Sequence, residues 1–67
     1  MARNPKPERR LYRCHPSEWK RWLAWALKEA SPWGLTNEIR DGFERYRAEG
    51  KNTPYACAYW ALYDWDI

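Results

Sequence analysis

The chain contains no valine and only two isoleucines, one methionine and one phenylalanine. Strands draw on β-branched side chains, so a sheet-based fold has little to build on. The three glycines, Gly34, Gly42 and Gly50, stand alone, which leaves no glycine-rich loop to cradle a phosphate. A single histidine and two cysteines are too few for a structural zinc site, and the usual Cys-x2-Cys and His-x3-His spacings are missing. No window approaches the roughly 20 apolar residues of a membrane span. With 67 residues there is material for one small domain and no large catalytic cleft.

What is present is unusual. Six Trp and five Tyr outnumber the leucines and isoleucines, and the sequence predicts a core built from aromatic rings. Alanine, leucine, glutamate, lysine and arginine are plentiful, and all favour helix. The formal net charge is +3, unevenly spread: residues 1–33 carry eight Lys/Arg against three Asp/Glu, and residues 34–67 carry four against six. Cys14 and Cys57 read as reduced thiols of a cytoplasmic protein, with one bridge between them as the alternative.

Residues 1–13, with Pro5, Pro7 and the cations Arg3, Lys6, Arg9, Arg10 and Arg13, lack helical or strand periodicity and form a basic arm. Residues 14–67 read as an all-α three-helix bundle. Pro16 fits a first helical turn and Glu18 suits its dipole, so helix 1 is expected over 16–30 and stops at Ser31-Pro32-Trp33-Gly34. Thr36 is the expected cap of a second helix over 36–49, ended by Gly50. Thr53-Pro54 opens a third over 54–64.

On a helical wheel Trp19, Trp22, Leu23, Leu27, Ala26 and Ala30 form the core stripe of helix 1. Trp25 falls between Arg21 and Glu29 on the polar side, where either a neighbouring segment covers it or it is an exposed anchor. Helix 2 shows a narrow stripe of Ile39, Gly42, Phe43 and Tyr46, with Asp41 and Arg45 at ion-pair spacing. Helix 3 is apolar all round, and two short helices cannot easily enclose it. Some of its rings therefore meet water, a second copy of the chain through helix 3, or a different partner.

Catalysis finds no footing. Cys14 and His15 are adjacent and seldom point at one another, and no oxyanion-hole loop is evident, so neither an enzyme nor a cofactor or metal requirement is expected. The surplus of Trp, Tyr and Arg matches interface hot spots. The predicted function is that of a non-catalytic module that binds and modulates or inhibits a protein, with Trp25, Tyr59, Trp60 and Tyr63 as anchors and Arg9, Arg10 and Arg13 as polar contacts. In size and lone-domain build it resembles the small accessory or inhibitor proteins of phages and mobile elements. The alternative is nucleic-acid binding by Arg3, Lys6, Arg9, Arg10, Arg13, Lys20, Arg21 and Lys28, with Tyr12, Trp25 or Trp33 stacking on bases.

Overall fold

The computed structural model describes residues 14–67, and the arm expected over 1–13 lies outside the described residues. Three helices follow in order: α1 over Pro16–Ala30, α2 over Thr36–Ala48 and α3 over Pro54–Tyr63. A single 3-10 turn, Ser31–Trp33, links the first two. The architecture is the all-α three-helix bundle that the sequence predicts, and each helix packs on both others. Among the described residues no helix is long and apolar enough to cross a membrane.

Each terminus has a local cause. The ring Nδ1 of His15 accepts a hydrogen bond from the Ser17 amide at 3.1 Å, so the imidazole acts as the side-chain cap of α1. At α3 the Thr53 hydroxyl accepts from the Ala56 amide at 3.1 Å with Pro54 behind it, as expected. The start of α2 differs from expectation. Leu35 occupies the capping position without a side-chain bond, and Thr36 is already the first helical residue.

Gly34 and Gly50 end their elements at φ +69° and +76°, a region open to glycine at no steric cost. Asn52 then donates to the Tyr46 carbonyl at 2.8 Å, satisfying one of the last acceptors of α2. After α3, Ile67 donates to the Leu62 carbonyl and Asp66 to that of Tyr63, with Asp66 at φ +58°. This is a Schellman closure with aspartate where glycine is usual.

The interior departs from the expected ring-built core. Five of the buried hydrophobic residues are alanines: Ala26, Ala30, Ala56, Ala58 and Ala61. Among the described residues Phe43 is the one fully buried aromatic ring, beside Ile39 and Cys57. No tryptophan is fully buried; Trp19 and Trp22 lean on this core from outside, with Leu23, Leu27, Leu35 and Tyr46. The physical reason is proximity. A side-chain carbon added to Gly42 would come within 3.3 Å of the Ala61 methyl, so α2 and α3 meet nearly backbone to backbone. Helices that close leave no room between them for an indole.

Two contacts tie the outer layer to the bundle. Trp19 meets Phe43 edge-on at a centroid distance of 6.2 Å, and the Arg47 guanidinium sits 4.3 Å above the Trp19 ring. Tyr46 donates its hydroxyl proton to the Asp64 carboxylate at 2.6 Å, fastening α2 to the end of α3. Arg45, spaced for Asp41 in the sequence, instead reaches Asp64 at 3.5 Å.

Phe43→Ala removes the centre of this core and is expected to cost about 3–5 kcal/mol, measurable by denaturant unfolding. A domain this small has roughly that much stability in total, so extensive unfolding is the expected outcome. The Asp64 bond, followed by burial, holds the Tyr46 phenol above its ordinary pKa of 10.0. A raised pKa favours the folded state below the unfolded value and loses that effect as pH climbs through the folded one. Tyr46→Phe should therefore lower stability by about 1 kcal/mol at neutral pH. The gap between wild type and variant should narrow above about pH 10, as read from unfolding curves across an alkaline series.

Candidate functional site

The rings excluded from the core are not scattered. Tyr55, Tyr59 and Tyr63 follow at intervals of four and share one face of α3. Tyr55 and Tyr59 stand 6.1 Å apart, and Tyr59 stacks on Tyr63 at 6.1 Å with 19° between the planes. Trp60 packs against both Tyr59, at 4.9 Å, and Tyr63, at 5.4 Å, edge to face.

The row continues onto α1. Tyr55 meets Trp22 at 5.0 Å, and Trp22 meets Trp25 at 5.5 Å. Six rings thus form one unbroken strip crossing from α1 to α3. Each edge-to-face pair contributes about 0.5–1.5 kcal/mol beyond the area it covers, so the strip is held in place before anything binds.

All four aromatic residues predicted as anchors lie on this strip. Trp25 is 37% and Tyr63 62% exposed, marking its two ends, while Tyr59 and Trp60 are half-buried between them. Two of its links lie outside the sequence expectation. The wheel of helix 1 puts Trp22 in the core stripe and nothing in the sequence reading gives Tyr55 a role, yet these two residues join the α1 and α3 parts. The four-residue spacing of Tyr55 to Tyr59 is the signal available for one of them.

Of the predicted polar contacts, Arg3, Lys6, Arg9, Arg10 and Arg13 lie outside the described residues, as does Tyr12. Lys20, Arg21 and Lys28 are exposed on α1, and the Arg21 guanidinium sits 5.0 Å over the Trp22 ring. Glu18 and Glu29 flank the same stretch and offset much of its charge. On α3 the rings have no cation beside them in sequence. Trp33 and Trp65, 66% and 48% exposed, stand apart and share no ring contact with the strip among the described residues.

The remaining polar features are of a different kind. An open cleft between α2 and the end of α3 is lined by Glu38, Asp41, Arg45, Asp64 and Trp65, over a floor of Gly42 and Ala61. Among the described residues no group of three or more His, Cys, Asp or Glu is placed to hold a metal ion. Burial pushes the Cys57 thiol up to about 12, so it stays protonated at neutral pH and is a poor nucleophile. His15 is engaged with Ser17 at the start of α1. Compared with protein-family models, curated proteins and solved structures, the chain matches none of them.

Proposed function

We propose that the protein is a non-catalytic binding module that engages a protein partner through the aromatic strip and thereby modulates or blocks that partner. The observation that carries this reading is the strip itself: six rings in continuous contact across two helices, exposed at Trp25 and Tyr63 and half-buried between them. Tyrosine and tryptophan offer large contact area for few rotatable bonds and keep a polar tip for the solvent, which suits a surface that is wet when free and dry when bound. Trp25, Tyr59, Trp60 and Tyr63 are its anchors, and Arg9, Arg10 and Arg13 add charge that would steer an acidic partner toward it.

Nucleic acid is the weaker occupant. Phosphate binding needs clustered cations, whereas Glu18 and Glu29 offset those of the α1 edge, and α3 has only Asp64 at its end. A cytoplasmic setting, where thiols stay reduced, belongs to this proposal and agrees with the buried Cys57 thiol.

The test is affinity capture from the native cell with the full chain, with and without nuclease, repeated with alanine at each anchor. A retained protein that is indifferent to nuclease and weakened by about 2 kcal/mol or more at the exposed anchors is the expected result. Losses below about 0.5 kcal/mol at all four anchors contradict the proposed surface. Retention that vanishes with nuclease and falls steeply with salt transfers the function to nucleic acid.

A further inference from the structure

The excess positive charge of the chain sits in one place. Residues 1–13 carry five Lys/Arg against Glu8 alone, while residues 14–67 carry seven against eight Asp/Glu. The bundle by itself is therefore slightly acidic, and the arm of its own chain is its electrostatic complement.

The border of the strip points the same way. Glu18, Trp22, Trp25 and Glu29 follow at positions i, i+4, i+7 and i+11 and share one stripe of α1, and Trp22 on that stripe meets Tyr55 of α3. Arg21 and Lys28 are rooted on the far side of Trp25 from that contact. Two exposed carboxylates thus edge the α1 flank of the strip, and α3 adds no charge before Asp64. Ring faces in this molecule also take guanidiniums: Arg21 reaches over Trp22 at 5.0 Å, Arg47 over Trp19 at 4.3 Å and Arg45 over Tyr46 at 5.3 Å.

The arm has the reach. Trp22 follows Cys14 by eight residues, about 12 Å along α1. About four residues at the polyproline rise of about 3.1 Å cover that distance, so Arg9 and Arg10 arrive at the Trp22–Tyr55 contact with Pro5, Lys6 and Pro7 to spare for Tyr59.

We infer that residues 1–13 fold back over the middle of the strip, set their cations on the faces of Tyr55 and Tyr59 and beside Glu18, and cover those rings until an acidic partner draws the arm away. The inference rests on the reading of the strip as the partner surface and adds its regulation. Each cation over an exposed ring contributes about a two- to fivefold factor, and contacts made within one chain gain from the effective concentration of a short tether. Trp25 and Tyr63, at the two ends, stay exposed for first contact. An acidic partner competes for the arginines, so that its binding and the uncovering of the strip are one coupled event.

Hydroxyl-radical footprinting of the full chain tests this, with Arg9→Glu, Arg10→Glu and Arg13→Glu combined as the released form. Tyr55 and Tyr59 should react about threefold or more faster in that variant than in wild type, with Trp33 and Trp65 unchanged. Arg9→Lys, Arg10→Lys and Arg13→Lys combined keep the charge and should keep the protection. Circular dichroism checks that the helices persist in both. Poly-L-glutamate, as an acidic probe, should raise the two tyrosines of wild type toward the released level.

Equal reactivity of Tyr55 and Tyr59 in wild type and the glutamate variant overturns the inference. Protection that disappears on about a hundredfold dilution gives the arm to a second copy and overturns the contact within one chain. Protection that poly-L-glutamate leaves untouched overturns the release step. The partner reading fails separately: an undocked arm with capture still weakened by alanine at Trp25 or Tyr63 leaves the strip standing, and a docked arm on a chain whose anchors capture nothing leaves the arm contact alone.

Discussion

The close approach of α2 and α3 at Gly42 and Ala61 sets the terms for everything else in this molecule. Helices that meet with methyl groups and hydrogens between them bury little volume, and the space that remains is filled by Phe43, Ile39, Cys57 and Leu62. Alanine is an excellent helix former with no rotamer entropy to lose, so an alanine-lined interior forms at small conformational cost. Its weakness is modest apolar area. The half-buried layer of Trp19, Trp22, Tyr46 and the α3 rings supplies the missing burial from outside.

That arrangement inverts the common one, in which large side chains fill the centre and small or polar ones face water. Here α3 turns its alanines inward and its tyrosines outward, with Trp60 beside them. The same packing that stabilises the bundle therefore leaves a row of rings along its rim. Charge is arranged in keeping with this. The ion pair of Arg45 with Asp64 and the Tyr46 bond gather at the α2 side of α3, away from the stacked tyrosines. Asp64 thus serves two partners on α2 and closes the end of the chain against it.

Much of the bundle is legible in the residues. The proline-bearing starts of α1 and α3 and the glycines at both turns place every helix to within a residue, because each feature acts through its own backbone geometry. What escapes are relations between helices. Arg45 is spaced for Asp41, but Asp64 lies across the interface and also accepts from Tyr46, so the tertiary pairing prevails. Thr36 looks like a cap, yet Leu35 takes that place because the amide of Ile39 bonds to the Leu35 carbonyl at 2.9 Å, which opens the helix one residue earlier. A ring-built core is expected because the wheel of one helix shows direction and not depth. Trp22 points toward α3, as its wheel position requires, but what it meets there is Tyr55 at the rim.

The central claim is that this chain folds on its small residues and makes its contacts with its rings, along one strip. Hydroxyl-radical footprinting, comparing the full chain dilute in buffer with the same chain associated in extract of its own cell, tests it most directly. Trp25, Trp60 and Tyr63 should lose reactivity together on association, while the likewise exposed Trp33 and Trp65 keep theirs. Protection of Trp33 and Trp65 with the strip left reactive would contradict the account.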